Sequence, residues 1–286
     1  MMLEGKIAMV TGVGPGMGRD IALALAKEGA DLILVARSER VVPSVVAEVE
    51  ALGRRAIPVF GDIASKNDCE RIAGEAQAGV AELSSSVARA DDAADSDGAP
   101  LDILVNSAFH AGKHMTFEES DLARWQGPMD VNYFGTLQLT QAVLPMLKAA
   151  AANTGDARII MINTMSVQRI EAGAGAYTGS KAALAAVTKT LALELGTYGI
   201  RVNAVHPGYI WGDSVKIYFE WQAAARGGGA TWEDLYAERA SETALGYLPH
   251  SSEIAGSVVF FASPLAKCVT GAALAANGGH WTAPSA

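Results

Sequence analysis

Tyr177 and Lys181 stand four residues apart within Ala174–Gly196, an Ala- and Leu-rich segment with helical patterning, so their side chains share one face. A free phenol, with a pKa of about 10, is a poor acid–base group at neutral pH. An ammonium beside it stabilises the phenolate and lowers that pKa. Such a pair can exchange a proton with an oxygen on which negative charge builds, as happens when a ketone is reduced. A second chemical signal lies near the start of the chain, in Thr11-Gly12-Val13-Gly14-Pro15-Gly16-Met17-Gly18. It closes a short apolar run and opens an amphipathic one. Glycines placed there let the backbone turn tightly and approach a pyrophosphate, while the first N–H groups of the helix act as donors. The spacing is not G-x-G-x-x-G, because Met17 occupies its last position; Gly12, Gly16 and Gly18 give G-x-x-x-G-x-G.

Both signals need a scaffold, and the chain supplies a regular one. Short β-branched runs occur at Lys6–Thr11, Asp31–Ala36, Arg55–Phe60, Leu101–Asn106, Ala157–Ile162, Arg201–His206 and Ala272–Ala276. Most are apolar almost throughout, as strands covered on both sides must be. Helical patterns fill the intervals: Met17–Glu28, Ser38–Leu52, Lys66–Glu82, Leu122–Ala152, Ala174–Gly196 and Ser251–Ala262. This alternation predicts an α/β fold with three layers, a Rossmann-type doubly wound parallel sheet of about seven strands. The rhythm does not break for long, so residues 1–286 read as a single domain.

Two segments depart from the rhythm. Residues 84–100 are rich in Ser, Ala, Asp and Gly and read as a polar loop insertion. Residues 208–249 concentrate aromatics, among them Tyr209, Trp211, Phe219, Trp221 and Trp232. That stretch is expected to form a helical lid over an apolar substrate pocket, although helical spacing would also make some of these rings core residues.

Composition narrows the partners. A formal net charge of −9 opposes binding to nucleic acid or to anionic membrane, and a small-molecule substrate is expected instead. No window is apolar for long enough to span a bilayer, and residues 1–11 carry no signal-peptide pattern. The two cysteines, Cys69 and Cys268, read as buried free thiols of a soluble cytoplasmic protein. His110 and His114 are at helical metal spacing without a third ligand in view, so no metal site is expected.

The glycine spacing, together with a series of short motifs spread from Lys6 to about Gly279, resembles the short-chain dehydrogenase/reductase family. Asp62-Ile63 stands where that family contacts adenine, and Asn106-Ser107-Ala108 where it usually reads N-N-A-G. Asn132 occurs in Asp130-Val131-Asn132, and Tyr177-Thr178-Gly179-Ser180-Lys181 matches Y-x-x-S-K. Arg201-Val202-Asn203, Pro207-Gly208 and Asn277-Gly278-Gly279 come next, in the family's order. The resemblance implies an oxidoreductase moving a hydride between nicotinamide and a carbonyl/alcohol pair. In it Tyr177 would be the acid–base group and Lys181 would also bind the nicotinamide ribose. Asn132 would hold a water that links lysine to solvent. Ser166 would orient the substrate oxygen; it lies eleven residues before Tyr177. Thr164, thirteen before, carries the alternative hydroxyl. The family's contacts would fall on Gly12, Gly16, Met17, Gly18, Asp62, Ile63, Asn106, Pro207, Gly208 and Ile210. The usual threonine after that last motif is Gly212 here, and Phe109 replaces a glycine. A homotetramer or homodimer is implied, joined through the helices at 122–152 and 174–196.

Cofactor choice is written at the end of the second strand. A carboxylate there would favour NAD(H) through the ribose 2′-OH, whereas an arginine pairs with a 2′-phosphate. The chain has Ala36 followed by Arg37, which favours NADP(H). Two competing functions are weighed against the bulky apolar ketone or alcohol that the aromatic lid suggests. A 3-oxoacyl thioester reductase would meet an acidic carrier protein, and the lid's acidic balance opposes that. A dinucleotide-binding regulator without catalysis would not need Asn132, Ser166, Tyr177 and Lys181 together.

Overall fold

The computed structural model describes residues 1–85 and 99–280. Most of the polar insertion read at 84–100 lies outside those residues; Ser84 and Ser85 end a helix. The strands are β1 (Ile7–Thr11), β2 (Asp31–Ala36), β3 (Ala56–Phe60), β4 (Ile103–Asn106), β5 (Ala157–Ile162), β6 (Ile200–Pro207) and β7 (Ala273–Ala276). They form one seven-stranded sheet in the order β3-β2-β1-β4-β5-β6-β7, with every pairing parallel. The helices are α1 (Met17–Lys27), α2 (Val42–Ala51), α3 (Lys66–Ser85), α4 (Gln126–Met129), α5 (Thr136–Thr154), α6 (Gly175–Gly196), α7 (Asp213–Arg226), α8 (Trp232–Ser241) and α9 (Ser251–Ala262).

Alternation along each strand divides the core. Met9, Ile33, Leu104 and Ile159 pack with α3, α5 and α6 on one face. Val10, Leu34, Val105 and Ile160 pack with α1, α2 and α9 on the other. Both faces are buried, which explains why the strands read as continuous apolar runs rather than as alternating ones. β2 and β5 are buried at every position.

The long helix expected over 122–152 is broken. A 3₁₀ turn at Leu122–Trp125 leads into α4, a π-helical turn comes next at Asp130–Gly135, and α5 resumes the α-helix. Gly135 shows what fixes the distortion, because a Cβ there would lie 2.5 Å from the Ile63 carbonyl oxygen. The helix passes against the loop after β3 at backbone distance. The helix expected from Ser38 begins later, at Val42, with Pro43 in its first turn, where its missing N–H costs nothing.

Residues 208–249 hold α7 and α8, joined through Gly227, Gly228 and Gly229, all with positive φ. A capping box between Thr231 and Asp234 starts α8. The two helices share a small core around Phe219, Ala223, Leu235 and Leu248. Trp211 stacks on Trp232 with ring centroids 5.5 Å apart and meets Tyr236 edge-on at 4.5 Å. Much of the aromatic content read as a pocket lining therefore packs on itself.

Of the two cysteines, both free, Cys69 is buried and Cys268 is exposed, so the reading of two buried thiols holds for one. Burial pushes the Cys69 thiol up to about 11. Among the described residues no helix is long and apolar enough to cross a membrane.

Charges gather where the strands begin. Lys6 Nζ and the Ile7 N–H both donate to buried Asp102, at 2.8 and 2.9 Å. Asp156 accepts from Arg158 at 2.6 Å and from Arg201 at 3.0 Å, and both arginines are buried. Arg201 also donates to the carbonyls of Phe261, Ala266 and Ser263, tying β6 to the end of α9. Removing the shared carboxylate leaves two buried guanidinium groups uncompensated. Asp156→Asn is expected to lower stability by about 3 kcal/mol, read as a fall in the denaturant midpoint at unchanged slope. A midpoint like that of the wild type would show that the cluster contributes nothing.

Candidate active site

The C-terminal ends of the strands face the opposite way and carry the predicted residues. β1 lies between β2 and β4, where the strand order reverses, and a crevice opens at such a switch point in doubly wound sheets. Thr11 closes β1 and clamps the neighbouring loop, its Oγ1 accepting from Ser107 N–H at 2.9 Å and Ala108 N–H at 3.1 Å. Gly12 has φ +69° and a Cβ there would lie 2.5 Å from Ala108 Cα. At Gly18 a Cβ would meet the Gly12 carbonyl oxygen at 2.3 Å, so this glycine lets α1 press onto the turn. Gly16 is different: it is exposed, and nothing lies within 4 Å of where its Cβ would be. It stands at the N-cap of α1 with no side-chain cap, beside half-buried Met17. Two glycines shape the turn and the third leaves an open cradle before uncapped N–H groups, which fits a pyrophosphate.

Around the cradle the predicted contacts fall into two groups. Ala36 ends β2, and among the described residues exposed Arg37 and Arg40 have no ion-pair partner. Arg19 is already engaged by Glu48 and Asp20. Asp62 is half-buried after β3 beside buried Ile63, with one carboxylate oxygen accepting from Ala64 N–H. Asn106, by contrast, is buried, and its amide donates to Thr140 Oγ1 at 3.0 Å and Met161 Sδ at 3.3 Å. Its side chain braces β4 against α5 and β5; only the backbone beyond it approaches the cradle.

The residues expected to handle protons lie between β5 and α6. Tyr177 is half-buried, and burial pushes its phenol above the ordinary value while a hydrogen bond with Thr164 draws it down. Thr164 Oγ1 donates to Ser166 Oγ at 3.2 Å and accepts from the Ser166 N–H. Thr164 and Ser166 thus bring two mutually bonded hydroxyls to the side of Tyr177. Lys181 is 2% exposed, and its Nζ donates to the Ile162 carbonyl at 2.8 Å. Burial pulls this amine down to about 7. Asn163, which in the sequence marks only the strand-end pattern Asn163-x-x-Ser166, ties β5 to α6 and the loop. Its amide donates to the Lys181 carbonyl at 3.1 Å and its Oδ1 accepts from the Thr164 N–H. An asparagine directly after an apolar strand was the signal available.

Asn132 sits in the π-helical turn, fully buried. Its Oδ1 accepts from the His110 N–H at 2.7 Å, and its Nδ2 donates to the His110 carbonyl and to Ser180 Oγ, both at 2.9 Å. Ser180 in turn donates to the Tyr177 carbonyl. Asn132 therefore links the loop after β4 to the tyrosine-bearing helix. His110 Nδ1 accepts from the Gly112 N–H, and the His114 ring lies over Gly173.

Pro207 ends β6, and a Cβ on Gly208 would meet Asn277 Cβ at 2.8 Å, which brings the chain ahead of half-buried Ile210 under the C-terminal segment. Gly212 is the uncapped N-cap of α7, extended and with open space around it. Residues 208–249 are anchored by charges that sequence patterns did not reveal. Glu242 binds Arg169 at 2.6 Å, Arg239 at 2.7 Å and His280 at 2.7 Å, while Glu171 accepts from the Tyr209 hydroxyl. These partners are scattered along the chain, so no local spacing could expose them.

Known proteins match this chain along its length. The family model for short chain dehydrogenase matches residues 6–223. Galactitol 2-dehydrogenase (L-tagatose-forming) of Cereibacter sphaeroides is 34% identical over 97% of this chain and 96% of its own. L-Sorbose reductase from Gluconobacter frateurii, solved with NADPH and L-sorbose, superposes with a TM-score of 0.83 at 27% identity, covering 98% of this chain and 99% of that one. Carveol dehydrogenase from Mycobacterium avium, solved with NAD, shares the fold at a TM-score of 0.85 and 22% identity, with 98% and 99% covered.

The buried amine should also make stability depend on pH. In the folded chain Lys181 loses its proton near pH 7, against 10.5 for an ordinary lysine. Between those values the unfolded chain binds more protons, so wild-type stability gains from this group as pH rises through the window. Below it both states are protonated and the burial penalty is complete. Lys181→Met removes the penalty, so its Tm relative to wild type should be greatest near about pH 7 and fall by several degrees toward about pH 10, at ~2–4 °C per kcal/mol. A difference independent of pH would refute the depressed amine.

Proposed function

This chain belongs to the short chain dehydrogenase family and is an NAD(P)-dependent oxidoreductase of alcohol and carbonyl groups; on that basis we propose that it uses NADP(H) and that Tyr177 is its acid–base group. The observation that carries the reading is that α6 carries Tyr177 and a buried Lys181, whose amine bonds the Ile162 carbonyl at the end of β5, next to the hydroxyls of Thr164 and Ser166. When bound, the nicotinamide supplies or accepts the hydride. The chain's task is then to manage charge on the substrate oxygen. Tyr177 donates a proton to that oxygen in reduction and withdraws it in oxidation. Thr164 holds the same oxygen toward the phenol, and Ser166, bonded to Thr164, fixes the orientation of that hydroxyl. Lys181, with its pKa drawn down to about 7, gives up and regains a proton at neutral pH and so can restore the phenol. Asn132 keeps the π-helical turn beside Tyr177 in place, and the loosened backbone of that turn is where a water joining Lys181 to solvent would sit.

Gly12, Gly16, Met17 and Gly18 would cradle the pyrophosphate, with Asp62 and Ile63 at the adenine and Pro207, Gly208 and Ile210 at the nicotinamide. Arg37 would clasp the 2′-phosphate, since it is free and β2 ends without a carboxylate. Helices α7 and α8 act as a lid within 208–249, and the exposed Ile217 and Trp221 of α7 support an apolar substrate. Exposed Leu193 and Tyr198, on α6 and just beyond it, support pairing with a second copy as a homodimer or homotetramer. Free thiols suit the reducing cytoplasm.

Two measurements test the reading. Tyr177→Phe should lower kcat by roughly 10²–10⁴-fold with cofactor affinity nearly unchanged. Thr164→Val should cost kcat more than Ser166→Ala; the reverse order would assign the orienting hydroxyl to Ser166. In fluorescence titrations the wild type should bind NADPH at least about tenfold more tightly than NADH, and Arg37→Ala should abolish most of that preference. Equal affinities in the wild type would overturn the NADP(H) assignment.

A further inference from the structure

His206 lies in β6, 4% exposed, and neither of its ring nitrogens has a hydrogen-bond partner. A buried imidazole normally satisfies at least one of them, because an unmet polar group in the interior costs about 1–3 kcal/mol. The ring forms part of the wall of a cavity of about 310 Å³ between α6, the sheet edge and the turn after β5. Thr188 and Lys189 of α6, Gln168 of the turn, and Gly271 and Ala272 ahead of β7 complete the wall that matters here. Thr188 is not available as a donor, since its hydroxyl is bonded to the Leu184 carbonyl.

The charges around this space are of one sign. Lys181 and Lys189, both on α6, act on the imidazole and, together with burial, hold it down to about 4. The turn after β5 contributes the neutral amide of Gln168, and the approach to β7 contributes only glycine and alanine. A cation is repelled from such a place, and a metal would find one nitrogen ligand beside two ammonium groups. An anion gains the ammonium of Lys189 and an imidazole N–H with no competitor, and burial of the ring strengthens the second of these.

We propose that this cavity is a binding site for a small carboxylate, held by the His206 imidazole and the Lys189 ammonium, behind the catalytic lysine and separate from the cofactor crevice. The bound carboxylate occupies the side of β6 toward α6, the helix that also carries Tyr177, so it is placed to act on Lys181 electrostatically without touching the substrate. Nothing in this depends on which cofactor or substrate the enzyme uses.

Acetate is the probe. It is titrated into the ligand-free protein at constant ionic strength while the His206 ring protons are followed by NMR, assigned by their loss in His206→Asn. A saturable shift of those resonances, with the His206 pKa rising from about 4, is expected. Lys189→Met, a change at an exposed residue outside the catalytic cluster, should weaken acetate roughly tenfold and leave turnover without acetate unchanged. Tetramethylammonium should produce no saturable shift. Resonances that do not move with acetate, or that move equally in Lys189→Met, would overturn the proposal. So would a shift that disappears as protein concentration rises, which would show that a second copy covers the cavity.

Discussion

A parallel sheet covered by helices on both faces leaves water only at the two rims where strands begin and end. The polar groups at the strand ends have to be satisfied at one rim or the other, and the two are used differently. Where strands begin, charges are closed upon each other: Asp102 with Lys6, Asp31 with Arg54 and Arg55, Asp156 with Arg158 and Arg201. Where strands end, backbone N–H groups at Gly16, the exposed Arg37 and the buried amine of Lys181 are left with capacity to interact. One rim consolidates the domain and the other is kept short of partners, and doubly wound sheets bind their ligands at the rim where strands end.

Much of this was legible because it is local. β2 and β5 run where the apolar runs placed them, and the glycine spacing anticipated a turn that only glycines can make. The Tyr177–Lys181 interval alone put both residues on one helix, which is α6. What escaped depended on distant partners. The break at Asp130–Gly135 arises from the approach of the Ile63 carbonyl, which is remote in sequence, and no helical period records that contact. The aromatics of 208–249 announced an apolar environment without saying whose; in the structure a large part of it is that segment's own core. Spacing leaves Thr164 and Ser166, two residues apart, both as candidate hydroxyls, and in the structure the two are bonded to each other. Asn106 matched a cofactor motif yet has its side chain engaged within the framework.

The β5–α6 junction shows how a fold can hold an energetically awkward group. An amine buried to 2% exposure is unfavourable as a cation, and its neighbours do little to neutralise it: a carbonyl accepts from it at 2.8 Å, and no carboxylate offsets its burial. The penalty leaves the proton loosely held near neutrality. A salt bridge in the same position would have stabilised the fold and fixed the proton. Asn163 and Asn132 instead supply neutral hydrogen bonds that set position without setting charge.

Residues 208–249 have a core of their own, around Phe219, Leu235 and Leu248, that is distinct from the two cores against the sheet. A segment with its own packing can open at a lower cost than the unfolding of the whole chain. Its amides should then exchange with solvent through an opening that costs less than global unfolding, as a separate cooperative unit. The same independence bears on how such enzymes diversify. Sequence change in residues 208–249 falls first on that separate core, while the packing of the two cores against the sheet is largely spared.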